Sequence, residues 1–449
     1  MSALIVFAVA LTGILLSKVL FKKWFNHLSL YCVIMGGLIF FYELKLLPYH
    51  DIIPLAWFFI ITSFLSYLLG ILTIIAIKNY TDKKSQNNQP EINLPIFQDG
   101  GKALKYSVIF FSLIGLFVAL HRWYILIGMF GSVEAVFINA YAVYRLNVEG
   151  EIKEFIPILP SFIYVGVFLA GVYTAYKGKF SFLSFFPILC IVLKELTYFG
   201  RGEMLFSAME FIFAFLLTRH LLGDRSRQKF KFSRLNALLS IIILSVFLLS
   251  AASFVRESRG ISEKIPGASP ELKLIQNNFF ITPSVYFYLS CDVGVFSKYL
   301  EKETEEARFG ENTFRGVYFL LSKFNLAEKP KFFPKGYFIP MWANSGSYLR
   351  DIHSDFGSTG VYLFNFLLGL VITILWFRFY EKQSFIILVI LVYLFIIIGF
   401  SFLVIATRYN QWWMSQVLIL MCLPVLQKIA GTKQNLKSEK NLNRINSFI

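Results

Sequence analysis

A chain of 449 residues that is 57% hydrophobic and 16% charged, with mean hydropathy +0.63, has too little polar surface to cover a soluble globule of its size. Its formal charge of +16 would suit a nucleic-acid partner, but most of the basic excess falls in short segments between apolar runs, where it sets topology and meets anionic lipid instead. The composition predicts an all-α, polytopic membrane helix bundle, since the ten-residue alternation of a transmembrane barrel is missing.

Apolar runs long enough to cross a hydrocarbon core recur about eleven times: 3–20, 29–47, 54–77, 106–127, 156–176, 180–199, 203–222, 236–255, 358–376, 384–407 and 412–428. The first lacks a basic leader and a small-residue cleavage site, so it reads as a retained helix rather than a signal peptide. If the runs alternate across the membrane, the clusters at Lys22/Lys23, 78–105, Lys177/Lys179, 219–234 and the tail after 429 share one side, the cytoplasm. The amino terminus is then outside and the carboxyl terminus inside. This divides the chain into an N-terminal bundle of eight spans (1–255), an extracytoplasmic cap loop (256–357), C-terminal spans (358–428) and a basic cytoplasmic tail (429–449). A loop of that length should fold, and 283–300 and 312–324 carry amphipathic helical patterns on either side of an acidic, solvated run at 301–311. Cys32, Cys190 and Cys422 lie inside apolar runs and leave Cys291 alone in the loop, which argues against a disulfide framework or thiolate metal site.

The densest set of ionisable groups at a membrane boundary lies in 342–370. Helical spacing puts Tyr348, Asp351 and Asp355 on one face, with Arg350 and His353 on the adjacent one. Two carboxylates one turn apart weaken a helix, so they are either a solvated cap at the start of a span or the acid–base centre of a site, and the segment alone leaves both readings open. Arginines converge on the same membrane face from distant parts of the chain: Arg201, flanked by glycines at an outward turn before Glu203, then Arg256, Arg259, Arg350 and Arg408. Guanidinium forks match phosphate geometry, so a diphosphate at the outer boundary is the natural guest. Trp342, Asn344, Tyr348 and Glu203 are candidate substrate contacts. Lys194, Glu195 and Glu210 sit at membrane depth, where pairing with a neighbouring cation inside the bundle is favoured over a proton relay, and His121 and Arg122 are expected at the interface. There is no Walker loop, HExxH, GxSxG or His/Cys ligand cluster, and no metal or other cofactor is expected.

The Arg201-Gly202 turn, the arginine pair 256/259, the segment 310–314 (GENTF) and the stretch 344–360 (NSGSYLRDIHSDFGSTG) leading into a span together resemble the bacterial oligosaccharide repeat unit polymerases that build O-antigen or capsule. The likeness covers mainly 195–410. It implies a metal-independent membrane glycosyltransferase of the glycosyltransferase C-like class, acting at the outer face of the bacterial plasma membrane. Such an enzyme moves a growing glycan from one undecaprenyl diphosphate to a new lipid-linked unit, with a chain-length regulator as a candidate partner. On this expectation Arg201, Arg256, Arg259, Arg350 and Arg408 hold diphosphate, while Asp351, His353 or Asp355 orients or deprotonates the acceptor hydroxyl. The rival readings are a flippase or transporter of the same lipid-linked glycan, supported by Glu210 and Lys194, and a ligase that differs only in acceptor.

Overall fold

The computed structural model describes residues 3–81, 95–97, 99–152, 156, 158–229, 267–278, 283–302, 308–331, 334–382 and 384–446. Backbone in hydrocarbon must satisfy itself, and the apolar runs are accordingly helical. In order they are α1 (Ala3–Phe21), α2 (His27–Glu43), α3 (Pro54–Thr81), α4 (Lys102–Phe130), the short α5 (Val133–Ile138) and α6 (Ala140–Glu149), α7 (Leu159–Lys177), α8 (Phe182–Tyr198) and α9 (Gly202–Lys229). They are followed by α10 (Pro270–Asn278), α11 (Pro283–Lys302), α12 (Arg315–Lys323), α13 (Ser347–Lys382), α14 (Phe385–Phe400) and α15 (Asn410–Asn446). The strands among the described residues are β1 (Tyr337–Phe338) and β2 (Trp342–Ala343), an antiparallel pair that matches Phe338 to Trp342.

Among the described residues seven helices, α1, α3, α4, α7, α9, α13 and α15, are long and apolar enough to cross a membrane. The apolar α2 and α14 are shorter, at 17 and 16 residues. In α14 the run FIILVILVYLFIIIGF would favour a strand in water, but its β-branched residues are accepted in a helix that needs every backbone bond made internally. A capping box starts α2: Ser29 N–H donates to Asn26 Oδ1 at 2.9 Å while Asn26 N–H donates to Ser29 Oγ at 3.2 Å. The run expected at 236–255 lies outside the described residues. The stretch labelled α13 is broken at Gly357 into a polar helix from Ser347 and an apolar helix after the break, and the second coincides with the span expected to begin at 358.

The chain forms two compact units, one of Met1–Asn87, Ile261–Trp376 and Leu394–Asn410, the other of Asn88–Gly260, Phe377–Tyr393 and Gln411–Ile449. In the first, α3 and α13 cross on glycine. A Cβ on Gly70 would fall 2.2 Å from the Phe366 carbonyl oxygen, and one on Gly369 would fall 2.2 Å from the Tyr67 carbonyl oxygen. Helices in lipid gain from van der Waals contact, and side chains here would push the backbones apart. The long-loop helix α11 packs on α2 and α3, fastened where the Tyr49 hydroxyl meets Ser290 Oγ at 2.8 Å and where Ile53 N–H donates to Ser297 Oγ at 3.1 Å. In the second unit α7 is the central helix, buried almost throughout from Pro160 to Ala175 by α4, α8 and α9.

Candidate functional site

The first turns of α13 build the site in the first unit. Tyr348 N–H donates to the Ser401 carbonyl at 3.0 Å, which ties the start of α13 to the end of α14. The helix then runs to Gly357, whose φ of 65° and ψ of −165° break it before it continues into the apolar stretch. Asp351 and Asp355, both on the expected face, are buried at 3% and 4% exposure, and each has its own donors. Asp351 accepts from Arg408 Nη1 at 3.3 Å and from Ile405 N–H at 2.9 Å. Asp355 accepts from Asn312 N–H and Nδ2–H, both at 2.9 Å, and from Thr313 N–H at 2.6 Å. Two carboxylates one turn apart are tolerated because five donors divide between them. The Asp355 contacts also bring together the GENTF and HSDFGSTG segments, 43 residues apart in the sequence for Asn312 and Asp355.

Arg350, at 1% exposure, donates from Nη1 to the Asn344 carbonyl at 2.9 Å and from Nη2 to the Lys335 carbonyl at 2.5 Å, and lies 5.2 Å from the Tyr337 ring centre. It pins the hairpin to the helix. The half-buried His353 places Nδ1 3.0 Å from the Tyr299 hydroxyl and its ring edge-on to Phe59. Tyr348, read as a sugar contact, points the other way. Its hydroxyl meets Tyr31 at 2.8 Å and bonds to Asn365, so it belongs to a hydroxyl network inside the helices. Trp342, at 73% exposure, and the exposed Asn344 remain accessible on the hairpin.

Two residues of this cluster escaped sequence reasoning. Asp292, fully buried on α11, hydrogen-bonds Ser345 and faces Arg350 and Asp351; burial above all pushes its carboxyl up to about 8. Its signal was a single carboxylate between apolar residues of an amphipathic helix. Arg315 directly follows GENTF and starts α12, which packs on the Ala406–Arg408 turn. Burial first, and the positive charge of Arg408 second, pull Arg315 down to about 10. A guanidinium whose charge is disfavoured by burial and by the nearby Arg408 makes an arrangement that an anion would relieve.

Arg201 and Glu203 belong to the second unit. Phe199, in the left-handed region at φ 48°, ends α8, and a Cβ on Gly200 would strike Glu195 Oε2 at 2.5 Å, which is why glycine precedes Arg201. Glu203 is the ion-pair partner of Lys194 Nζ and hydrogen-bonds Glu195; Lys194 also donates to Gln411 Oε1 at 3.4 Å. Arg122 lies within α4, which continues two turns beyond it to Phe130, and is 2% exposed. Its Nε donates to Thr197 Oγ1 at 3.1 Å and its Nη2 to Asn147 Oδ1 at 2.5 Å, and its guanidinium lies 3.6 Å from the Tyr198 ring centre. Glu210 accepts from Gln416 Nε2 at 2.7 Å, a neutral amide where a cation was expected.

Of the five arginines expected around one diphosphate, Arg408 pairs with Asp351, Arg350 is engaged by the Asn344 and Lys335 carbonyls, Arg201 lies in the second unit, and Arg256 and Arg259 lie outside the described residues. Among the described residues no three His, Cys, Asp or Glu side chains gather as a metal set. Comparison of the chain with family models, curated proteins and solved structures finds no match.

Proposed function

We propose that the chain is a polymerase of undecaprenyl-diphosphate-linked oligosaccharide repeat units, with about eleven spans in a glycosyltransferase C-like bundle. On this reading α2, α8, α14 and the apolar run of sequence at 236–255, which lies outside the described residues, are spans beside the seven long apolar helices. The observation that carries the reading is the clamp of Asp355 on Asn312 and Thr313, because it joins the two most distinctive segments of the resemblance beside the buried Arg408–Asp351 pair and Arg315.

The division of labour follows from the hydrogen bonds. Asp351 and Asp355 have their oxygens engaged by the protein and hold Arg408 and the GENTF segment in place. That leaves His353 as the proton acceptor: with Nδ1–H donating to the Tyr299 oxygen, Nε2 carries the lone pair that takes the proton of the acceptor sugar hydroxyl. The hydroxyl oxygen bonds to the anomeric carbon of the donor glycan as the bond from that carbon to the diphosphate breaks, and Arg408 and Arg315 balance the charge of the departing lipid diphosphate. Trp342 and Asn344 are the sugar contacts in this scheme. Alanine at His353 or Arg315, with normal expression, should shorten the surface glycan to single repeat units in cells. Long chains in both variants would remove the reading.

The transporter alternative draws on the second unit, where the buried Lys194, Glu195 and Glu210 and the half-buried Glu203 form ionisable sites of the kind that couple transport to protons. It predicts no chain lengthening by purified protein, and movement of the lipid-linked glycan that a proton gradient controls.

A further inference from the structure

An amphipathic helix ordinarily hides its apolar face in the protein, and α12 does the reverse. Val317, Leu320 and Phe324, on one face at i, i+3 and i+7, are 52%, 56% and 68% exposed, with Phe314 before them and Leu326 after them at 53% and 73%. Arg315, on the opposite face, is the half-buried side turned toward the Ala406–Arg408 turn. So large an exposed apolar face on one short helix marks an interaction surface.

Two observations say what covers it. The Asp355 contacts fix Asn312 and Thr313, immediately before α12, to the first part of α13. The outward apolar side of α13 begins eight residues further on, at Leu363 (54% exposed), shortly after the Gly357 break. α12 is therefore held near the level at which the apolar surface of a membrane-crossing helix starts. The second observation is charge: six basic and two acidic side chains fall between 308 and 335, with Lys323, Lys329 and Lys331 exposed at and just beyond the end of the helix. An apolar face edged by lysines suits the boundary between acyl chains and anionic headgroups.

We propose that α12 lies in the membrane interface, with Val317, Leu320 and Phe324 immersed among acyl chains and the lysines among anionic headgroups. It thereby anchors the segment that carries Arg315 at the bilayer surface. This holds whatever reaction the chain performs.

The test uses full-length protein with Cys422→Ser, the other three cysteines being buried. Spin labels are placed singly on Leu320→Cys, Phe324→Cys or, as an aqueous reference, Glu328→Cys, in nanodiscs of phosphatidylethanolamine and phosphatidylglycerol. Labels at 320 and 324 should collide at least several-fold more with oxygen than with a water-soluble nickel chelate, and the label at 328 should show the opposite. Replacing phosphatidylglycerol by phosphatidylcholine should make the first two shallower. Water-type collision at both 320 and 324 would overturn the proposal, as would dipolar coupling between labels at 320 on two copies, which would give the face to self-association. All three sites are exposed, so the labels leave the packing intact and a negative result reads on the helix itself.

Discussion

Asp355 gives both oxygens to three N–H groups of Asn312 and Thr313, so its removal strands buried donors rather than a solvated carboxylate. Asp355→Ala should cost about 1–3 kcal/mol for each donor left without a partner and loosen 308–324, seen as faster tryptic cleavage at Arg308 or Arg315. Unchanged cleavage would show that the clamp does not hold the segment. Arg408→Ala takes from the buried Asp351 its cationic partner and should destabilise by about 3–5 kcal/mol. Adding Asp351→Asn should return much of that stability without returning glycan elongation, which separates the fold's need for the pair from the reaction's need. Asp292 gives a pH signature. Its folded value of about 8 lies above the ordinary 3.8, so the cost of ionising it in the fold is absent at low pH, grows as pH rises from about 4, and is complete above about 8. The melting temperature of Asp292→Asn minus that of the parent should therefore rise between pH 4 and 8, and a flat difference would mean that the carboxyl is not held protonated. The i, i+4 placement of Asp351 and Asp355 was readable from spacing alone. Their partners were not, because Ile405 and Arg408 lie more than fifty residues away and no local pattern connects them. The inward turn of Tyr348 was hidden for a related reason: nothing in its local sequence, GSYLR, marks which side of the helix meets another helix.

At the scale of elements, α13 is two helices joined at a break, and the second begins where the hydropathy pattern places the span. Hydropathy reports where lipid begins, and it is silent on whether the backbone before that point is already helical. The break rests on Gly357, whose φ of 65° and ψ of −165° are a combination essentially reserved for glycine. Nothing lies within 4 Å of a Cβ built there, so Gly357→Ala tests the backbone alone. It should cost about 1–3 kcal/mol in thermal or denaturant unfolding. Gly37→Ala, equally uncrowded but inside the regular α2, should be neutral or slightly stabilising. Equal effects would mean that the break is not a fixed feature of the helix. The amphipathic pattern at 312–324 did predict α12, but not that its apolar face would point outward, since periodicity gives a face and not its neighbour.

For the whole molecule, composition was enough to establish a helical membrane protein, because a surplus of apolar residues in runs of helical length has few other solutions. The two-unit organisation was invisible to a reading by runs, since the first unit is assembled from three separate stretches of chain. The proposed function lies furthest from the sequence, since it rests on a grouping of Arg315, Arg408 and His353 that only the fold produces. The decisive measurement takes purified full-length protein in phosphatidylethanolamine–phosphatidylglycerol nanodiscs, without any gradient, and supplies the lipid-linked oligosaccharide extracted from the source cells. Mass spectrometry should find glycans lengthened by whole repeat units, with one undecaprenyl diphosphate released for each unit added and neither product formed by His353→Ala. Oligosaccharide that stays at a single repeat unit with folded protein present would contradict the account.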